Sequence, residues 1–582
     1  MIGNREISKI LYEIGEYLEI KGVAFKPHAY EKAGYSIENL ERLVSEIYKK
    51  GLSAGRRGGL KAVEDIPGVG VSIAEKIEEL LKTGRLKYYE KLKKSFPVKI
   101  GELSAIEGIG PKMIFKLYKK LNIRSISDLE RAAKTNKIAK ITGFGKKTEE
   151  KILKGIEFLR KSGGRFLLGV VLPQARSIEN RLKELKHVDR VAIAGSLRRM
   201  QETIGDLDFL VTSKKPKEVM KFFVSMPEVA HVYSQGQTKA MVRLKNGMDA
   251  DLRVVPDISF GAALQYFTGD KRHNITLRAI AEKKGLKLNE YGLWRGKKLI
   301  AGKTEEEIYK SLGMAILPPE IRNDSGEIQA ALKNKLPKLI NYGDLKGDLQ
   351  VTTSWTDGEN SIEAMAEAAQ RSGLEYIVIT DHTKSLAMTG GADEKKLLKQ
   401  MKEIDRLNSK FQALNSKFRI LKGAEVNILK NGSLDIEDVV LAKLDVVGIA
   451  IHSHFNLSRA EQTKRIIKAM ENKHADILFH PTGRLIQKRE PYDVDMDEII
   501  KTAKETGTVL EIDADPYRLD LKDEYIRKAV AAGVKLSIDT DAHSKNSFHY
   551  LEFGIAQARR GWAKSSDIIN TRPWRDMLKL LK

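Results

Sequence analysis

The stretch that decides the fold is GSLRRMQETIGDLDFLV, residues 195–211, in which Asp206 and Asp208 stand two residues apart at the start of an apolar run. Side chains two residues apart in a strand point to the same face of its sheet. A third carboxylate, Asp251, lies in another strand-like stretch, MDADLRVV, residues 248–255. If these stretches are neighbouring strands, the sequence predicts a cage of three carboxylates, the ligand type that hard divalent cations prefer.

The turn before the two aspartates carries groups suited to a phosphate. Gly195 lets a phosphate approach the backbone, and Ser196 and Arg199 offer donors to its oxygens. Paired cations beside such a turn are typical of phosphoryl transfer, because they offset the charge of a triphosphate and of the attacking and leaving oxygens. The alternative is a solvated loop with three surface acids, and the strand-like flanks weigh against it.

Together with the segment YFTG at residues 266–269, this region resembles the family X DNA polymerases. The resemblance implies that Asp206, Asp208 and Asp251 hold Mg²⁺ or Mn²⁺, and that Asp251 also helps to activate the primer 3′-hydroxyl group. It further implies that the incoming dNTP is bound by these residues: Gly195, Ser196, Arg199, Tyr266, Phe267, Gly269, Asn274 and Arg278.

Within that nucleotide set, the resemblance assigns different parts of the substrate to different side chains. It implies that Tyr266 and Phe267 line the sugar pocket and disfavour a 2′-hydroxyl group. It implies that Asn274 and Arg278 face the new base pair from the minor groove. Met200 stands where the family usually has a Gly or Glu, so fidelity and ribonucleotide rejection stay open.

The chain of 582 residues is long enough for several domains, each with a core of its own. No apolar run is long enough to cross a membrane, and the first residues form an amphipathic helix pattern without a signal-peptide profile. The sequence therefore predicts a soluble, cytoplasmic protein with no membrane partner, and a monomer as the simplest state. Because the chain has no cysteine, any metal must bind to Asp, Glu and His side chains.

The net charge of +24 is unevenly distributed along the chain. Residues 341–582 hold 37 basic and 37 acidic side chains, so the whole excess lies in residues 1–340. A basic excess of this kind favours a phosphate-backbone partner and predicts salt-sensitive binding, although charge alone also fits solubility or an anionic membrane.

An internal repeat occupies the early chain, at IPGVG 66–70, IEGIG 106–110 and ITGFG 141–145. Each copy lies between helical patterns, and its glycines allow a tight turn with backbone N–H groups aimed at a phosphate. These copies resemble helix-hairpin-helix motifs, which bind DNA without reading its sequence. The predicted DNA-binding glycines are Gly68, Gly70, Gly108, Gly110, Gly143 and Gly145. Three ordinary glycine-containing helix connections are the alternative.

Residues 1–90 resemble the amino-terminal domain in which some family X enzymes excise a deoxyribose phosphate. The resemblance makes Lys76 the Schiff-base lysine and places Lys26 and Tyr30 in its pocket. A Schiff base needs a lysine of lowered pKa. Lysines recur at the same place in the other repeats, Lys116 and Lys151, which favours simple phosphate contact instead.

Beyond residue 346 the sequence alternates strand-like and helical stretches, which predicts a parallel α/β barrel with ligands on loops at the strand C-termini. Those loops carry carboxylate and imidazole groups, which suit Zn²⁺ or Mn²⁺. The region resembles the PHP (polymerase and histidinol phosphatase) domain found behind bacterial and archaeal family X polymerases. With Asp357, the resemblance gives as metal ligands Asp381, His382, Glu425, His452, His480, Asp541 and His543.

One PHP motif is incomplete. The family places two histidines on its first strand, where DLQVTTSWTDG, residues 348–358, has Gln350 and Thr352. Neutral amide and hydroxyl oxygens are poor zinc ligands beside imidazole, so at least one metal of a trinuclear site should bind weakly or not at all. Asn427 also replaces an acid that is usual nearby. Three outcomes stay open: a relic that only stabilises the fold, a site with fewer metals, or a site for a different metal.

The predicted fold class is multidomain, with a helix-hairpin-helix region, a nucleotidyltransferase mixed-sheet palm and thumb, and a distorted PHP-type α/β barrel. The predicted limits are an N-terminal lyase-like domain 1–90, fingers 91–165, palm 166–255, thumb 256–320, linker 321–345 and PHP-type domain 346–582.

The leading functional hypothesis is a template-directed polymerase that fills gaps in DNA repair, with gapped or primer-template DNA and dNTPs as partners. A second hypothesis is a phosphoesterase acting on DNA 3′ ends or abasic sites through residues 341–582, against which Gln350 and Thr352 speak. A third is a DNA-binding scaffold whose two sites are vestigial, against which the complete set of three aspartates speaks.

Overall fold

The computed structural model describes residues 3–582 except 21–22, 24–25, 39, 41, 99, 101–102, 104–105, 107–108, 147, 151, 154–155 and 157–163. The chain divides into two compact units. The first contains residues 1–163 with the short segments 487–490 and 544–547, and the second contains the rest. Among the described residues, no helix is both long and apolar enough to cross a membrane.

The first unit is helical. Among its described residues the helices are α1 (Asn4–Ile20), α2 (Lys26–Glu38), α3 (Val44–Gly51), α4 (Gly55–Glu64), α5 (Val71–Thr83), α6 (Lys87–Ser95), α7 (Pro111–Leu121) and α8 (Ile126–Lys134). They enclose a core to which α1 contributes Ile7, Leu11 and Ile14, all fully buried. These spacings of three and four residues place one apolar stripe of the helix against the core.

The three repeats form the same turn. In each, the backbone N–H of the residue after the first glycine donates to the carbonyl of the first isoleucine: Val69 to Ile66 at 3.0 Å, Ile109 to Ile106 at 3.1 Å and Phe144 to Ile141 at 2.9 Å. All six of these side chains are buried. The repeat seen in the sequence is therefore a repeated structure, held by its apolar residues.

The second unit begins with a mixed sheet. Its strands are β2 (Val188–Ile193), β4 (Asp206–Ser213), β5 (Val229–Gln235), β6 (Lys239–Leu244) and β7 (Asp249–Val254), in the order β2-β4-β7-β6-β5. Two short strands, β1 (Phe166–Leu167) and β3 (Thr203–Ile204), pair with each other beside it. The accompanying helices are α9 (Leu168–Lys183), α10 (Gly195–Arg198) and α11 (Pro216–Val224).

A smaller α+β region follows the mixed sheet. Its elements are α12 (Phe260–Thr268), α13 (Lys271–Lys283), β8 (Lys287–Asn289), β9 (Gly292–Arg295), β10 (Lys298–Ala301), α14 (Glu305–Ser311) and α15 (Glu327–Leu332). The three strands form an antiparallel sheet in the order β10-β9-β8.

The last region is a parallel sheet of seven strands in sequence order: β11 (Gly347–Val351), β12 (Tyr376–Ile379), β13 (Arg419–Asn427), β14 (Val446–Ala450), β15 (Ile477–Leu478), β16 (Val509–Asp513) and β17 (Leu536–Asp539). Its helices are α16 (Ile362–Arg371), α17 (Glu394–Ala413), α18 (Asp438–Leu441), α19 (Arg459–Met470), α20 (Met496–Thr506), α21 (Asp523–Ala532), α22 (Leu551–Arg560) and α23 (Trp574–Leu578).

The first and last strands of this sheet approach each other and nearly close it into a barrel. A parallel bridge joins Val351 to Ala542, and the Thr352 N–H donates to the Ala542 carbonyl at 2.9 Å. Because all strands are parallel, their C-terminal ends and the loops that follow them share one rim. The predicted fold class is confirmed in all three parts.

Candidate active sites

The three predicted polymerase aspartates lie on adjacent parallel strands. Strand β4 pairs with β7 so that Asp208 stands directly opposite Asp251 and Asp206 opposite Asp249. Asp206 and Asp208 share one face of β4 because they are two residues apart. The strand period and the register of β4 with β7 together bring all three carboxylates to one end of these two strands.

Repulsion among the carboxylates of this cluster favours the binding of a cation. Burial, together with the charges of Asp206 and Asp251, raises the pKa of Asp208 to about 7. The Lys239 ammonium lies 3.6 Å from Asp251 Oδ2 and is itself half exposed. Clustered carboxylate oxygens are the donors that Mg²⁺ and Mn²⁺ bind, so the residues present fit the two-metal site that the family implies.

The turn beside the carboxylates is shaped for a phosphate. Gly195 adopts a left-handed φ of 64°, and a Cβ there would overlap the Asp208 carboxylate. The Ser196 hydroxyl is buried and has no hydrogen-bond partner in the part of the chain that the structure describes. An unpartnered buried donor is costly, so this hydroxyl is well placed for a ligand oxygen. Burial lowers the pKa of Arg199 from its usual range, although its side chain stays near Asp270 and Asp208.

A neighbouring arginine, which the sequence did not single out, anchors this turn. Arg198 donates to both carboxylate oxygens of Glu305, at 3.0 and 2.6 Å, and to the Thr268 hydroxyl at 2.7 Å. Although burial opposes ionisation, Arg322 and Arg198 hold the pKa of Glu305 at about 2. The partners are about 70 to 110 residues apart in the chain, so local sequence patterns could not reveal them.

The predicted nucleotide-binding residues 266–278 lie at the end of α12 and the start of α13. The rings of Tyr266 and Phe267 meet edge to face, 5.2 Å apart, and both are partly exposed. Asn274 donates to the Tyr266 carbonyl at 2.7 Å and to the Gly269 carbonyl at 3.3 Å. Its amide therefore holds the turn, while Arg278, one helical turn further on, stays partly exposed.

The hairpin glycines divide into two conformations. Gly68 and Gly143 have left-handed φ angles of 77° and 85°. Gly70 and Gly110 precede α5 and α7, and an added Cβ at either would meet open space. Gly145 is open in the same way, and its carbonyl accepts from the Thr148 N–H at 2.9 Å. Gly108 lies outside the described residues.

Lys76 differs from the lysine at the same place in the second repeat. Its Nζ donates to the Ser72 carbonyl and hydroxyl, both at 2.9 Å, and lies 5.1 Å from the centre of the Tyr88 ring. Burial lowers its pKa, and the positive charge of the exposed Lys26 acts in the same direction. Lys116, in contrast, donates to the Thr142 carbonyl of the third hairpin. Lys151 lies outside the described residues.

Tyr30, the remaining residue of the predicted lyase pocket, is 6% exposed. Burial raises the pKa of its hydroxyl to about 12, so it stays protonated. Tyr30 therefore contributes a neutral surface to the predicted pocket and no charge.

On the barrel rim, the predicted ligands form two overlapping triads. One contains Asp357, His382 and His543, and the other contains His382, Glu425 and His452. Within each triad the three ligand atoms lie within 4.8 Å of one another. His480 joins the second group, since its Nε2 lies 2.9 Å from Glu425 Oε1.

In this cluster the negative charge of Glu425 is balanced by the neighbouring histidines. Burial opposes its ionisation, but His382 and His452 hold the pKa of Glu425 well below its usual range. Burial alone would lower the pKa of His382. The negative charges of Glu425 and Asp357 outweigh this effect, so the pKa of His382 is raised to about 9. Imidazole and carboxylate donors that converge in this way fit a divalent ion such as Zn²⁺ or Mn²⁺.

The three residues that depart from the PHP pattern have different surroundings. With its amide nitrogen facing the carboxylate, Gln350 donates to Glu511 at 2.5 and 3.3 Å. The Thr352 hydroxyl is buried without a partner in the described chain. Asn427 accepts from His452 Nδ1 at 2.8 Å and so orients that imidazole. Asn427 therefore supports a ligand, whereas the Gln350 side chain is occupied by Glu511.

Two of the acids predicted as ligands have partners inside the protein. Asp541 faces the guanidinium of Arg518, with 3.6 Å between Oδ2 and Nε, and lies 3.7 Å from His543 Nδ1. Asp381 accepts from the Thr353 and Thr356 hydroxyls, both at 2.6 Å. Arg518 supplies positive charge next to Asp541, and no sequence pattern had marked this arginine.

Comparison with known proteins agrees with the geometry. Three family models match: the DNA polymerase beta thumb over residues 263–323, a helix-hairpin-helix domain over 2–86, and a SAM-like helix-hairpin-helix tandem over 100–157. The chain is 37% identical to the DNA polymerase/3′-5′ exonuclease PolX of Bacillus subtilis (strain 168), and the match covers 99% of each chain.

More distant relatives match parts of the chain. It is 31% identical to a probable phosphatase of Thermoanaerobacter sp. (strain X514), over 36% of this chain and 84% of that protein. It is 26% identical to DNA polymerase lambda of Rattus norvegicus, over 55% of this chain and 56% of that protein. With the full-length match to PolX, the chain belongs to the family X DNA polymerases of the PolX type, with a PHP, phosphatase-like C-terminal region, and it is a DNA polymerase.

Proposed function

We propose that this polymerase fills gaps in DNA during repair, and that Asp206, Asp208 and Asp251 hold its catalytic metals. The observation that carries the proposal is the pairing of Asp208 with Asp251 across two parallel strands, beside the unpartnered Ser196 hydroxyl. No other described cluster places carboxylates next to a phosphate-shaped turn.

Different side chains have different roles in nucleotidyl transfer. Ser196 and Arg199 bind the triphosphate, and Tyr266 and Phe267 bound the sugar. Asp251 accepts the proton of the primer 3′-hydroxyl group, whose oxygen attacks the α-phosphate as pyrophosphate leaves. Bound Mg²⁺ or Mn²⁺ supplies charge that offsets the developing negative charge on the phosphate oxygens.

The hairpins bind the DNA backbone around the gap. Gly70, Gly110 and Gly145 leave open space at the start of the following helical segment, where backbone N–H groups meet a phosphate. We further propose the domain limits given by the sequence, and a monomer as the working state.

Primer extension on gapped DNA tests the polymerase site. Asp208→Ala should abolish extension with either Mg²⁺ or Mn²⁺, because the remaining two carboxylates cannot complete the cation cage. His382→Ala, in the barrel, is the matched control and should extend normally. Extension that survives Asp208→Ala would show that the assignment of these aspartates is wrong.

A second candidate activity is hydrolysis of DNA 3′ ends at the barrel rim. It is favoured by the two donor triads and by the likeness to the Bacillus subtilis relative, a DNA polymerase/3′-5′ exonuclease. Since Gln350 faces Glu511 and Asp541 faces Arg518, we propose that the rim binds at most two cations, and that trimming is weak. His382→Ala should remove any trimming, because His382 belongs to both triads, and metal analysis should then show fewer bound ions. Trimming that persists in this variant would place the activity elsewhere.

A further inference from the structure

The segment that joins the turn at residues 195–199 to strand β4 is short and contains a strained residue. Only residues 200–205 separate Arg199 from Asp206. Met200 adopts a left-handed φ of 50°, a conformation that a residue with a side chain rarely holds unless its surroundings impose it. Because the segment is so short, a shift at Met200 or Glu202 reaches both the turn and the first aspartate.

Three side chains of the barrel hold this segment, and we call Arg484, Gln557 and Arg560 the barrel clamp. Arg484 donates to both oxygens of Glu202, at 2.7 and 3.2 Å, and Gln557 donates to the first of them at 2.9 Å. Arg560 donates to the Met200 carbonyl at 2.9 Å, and its guanidinium lies 3.5 Å from Glu202. The strained residue is thus bonded from a region some 360 residues away in the chain.

The side chains of the barrel clamp are held in place by further hydrogen bonds within the barrel. Arg560 also donates to Asp523 at 2.9 and 3.1 Å, and Gln557 donates to the Leu521 carbonyl at 2.9 Å. Arg560 is 5% exposed and Arg484 is 8% exposed. Buried, bidentate arginine contacts have little freedom, so the clamp is a rigid support.

The barrel and the mixed-sheet region, which we call the palm, are joined by apolar packing in addition to the hydrogen bonds of the barrel clamp. Apolar residues of both regions form one continuous core. A Cβ at Gly169, in the first palm helix, would overlap Pro516 of the barrel. The contact between the two regions therefore belongs to the folded second unit.

We propose that the barrel clamp is a positioning device of the polymerase: Arg484 and Arg560 hold Glu202 and the Met200 carbonyl so that Ser196 and Arg199 stay set for the triphosphate. The inference rests on the proposed role of Ser196 and Arg199 in dNTP binding. It gives the PHP barrel a part in DNA synthesis that does not depend on whether its rim hydrolyses anything.

Steady-state gap filling by the full chain tests this role. Arg560→Gln should raise the KM for dNTP about tenfold with a smaller change in kcat, because a displaced turn weakens triphosphate binding. Arg560→Lys keeps a donor for the Met200 carbonyl and should recover part of the loss. The matched control is Arg176→Gln, which removes a different ion pair between the mixed-sheet region and the barrel, with Glu552, and touches no part of the turn.

A double variant separates positioning from loss of folding. If Arg560 acts through the turn, Arg560→Gln should raise KM much less in a Ser196→Ala background than in the wild type. Independent effects, or equal KM values for Arg560→Gln and Arg176→Gln, would overturn the inference. If Ser196→Ala itself left KM unchanged, the proposed role of the turn would fail instead.

Discussion

At the scale of single residues, the polymerase site is a set of charges whose partners are far away in sequence. The position of Asp251 depends on the register of two strands, but the shared face of Asp206 and Asp208 was predictable because the period of a strand fixes which side chains share a face. Glu202 was not, because its arginines come from another region of the chain. A local sequence pattern shows which face of a strand a side chain occupies. An ion pair between residues far apart in the chain depends instead on how the regions pack.

Glu202 should make stability depend on pH in the acid range. Burial alone would raise its pKa, but Arg484 and Arg560 lower it to about 2 from an ordinary value of 4.5. A depressed folded-state pKa contributes stability above the unfolded-state pKa, and that stability is lost as the pH falls from about 4.5 towards 2. The contribution is roughly 3 kcal/mol.

Chemical denaturation of the wild type and Glu202→Gln at several pH values measures this contribution. The free energy of unfolding should differ between the two proteins at neutral pH, and the difference should shrink as the pH falls below 4.5. A constant difference across that range would show that the charge of Glu202 does not stabilise the fold.

Lys76 is another residue whose pKa the fold changes, since burial lowers it. If it excises deoxyribose phosphate, borohydride should trap a covalent adduct on an abasic substrate, and Lys76→Ala should lose it. Lys116→Ala is the control, since Lys116 has the same place in its repeat but donates to Thr142. An adduct that is unchanged in Lys76→Ala would assign the Schiff base to a different lysine.

At the scale of elements, the hairpins and the barrel rim were predicted from repeats and spacing. The shared hydrogen bond of the three hairpins follows from the shared apolar and glycine positions in the sequence. On the rim, strand ends brought together His382, Glu425 and His452 as expected. The pairing of Asp541 with Arg518 was not foreseen, because nothing in the spacing of Arg518 marks it as inward-facing.

The two glycines of the first hairpin should separate folding from DNA binding. Gly68→Ala places a Cβ in a left-handed conformation next to Lys32, and should lower the free energy of unfolding by about 1 to 2 kcal/mol. Gly70→Ala meets open space at φ −83°, so stability should stay within about 0.5 kcal/mol.

DNA binding gives the second half of this comparison. The added methyl group of Gly70→Ala lies where the phosphate approaches the backbone, so the affinity for gapped DNA should fall. Thermal unfolding and a binding titration on both variants measure the two effects. Full affinity in Gly70→Ala would remove this glycine from the DNA interface.

The barrel rim should gain metal when its missing histidines are supplied. Gln350→His with Thr352→His adds two imidazole donors at the positions where the PHP family has them. Metal analysis of the purified double variant should show more bound Zn²⁺ or Mn²⁺ than the wild type, which should hold at most two ions. Three ions in the wild type would contradict the interpretation of Gln350 and Thr352.

At the scale of the whole molecule, charge and architecture agree on DNA as the partner. The basic excess of +24 lies in residues 1–340, which include the hairpins and the polymerase site, while the barrel is neutral. In our proposal, the barrel clamp links the neutral barrel to the candidate polymerase site through Glu202 and the Met200 carbonyl. The proposal therefore gives both parts of the chain a role in the same reaction.

The uneven charge predicts a steep salt dependence of DNA binding. The logarithm of the binding constant should fall linearly with the logarithm of salt concentration, by about 0.9 for each phosphate that the protein neutralises. Fluorescence anisotropy with labelled gapped DNA gives this slope. Binding that does not change with salt would show that the basic excess serves another purpose.

The most direct test of the central claim is single-turnover incorporation into one-nucleotide gapped DNA by Asp251→Asn. This change removes one cation ligand and keeps the size of the side chain. We expect the rate to fall about 1,000-fold or more while the Kd for DNA is unchanged. A rate equal to that of the wild type would contradict the claim that Asp206, Asp208 and Asp251 together form the site of DNA synthesis.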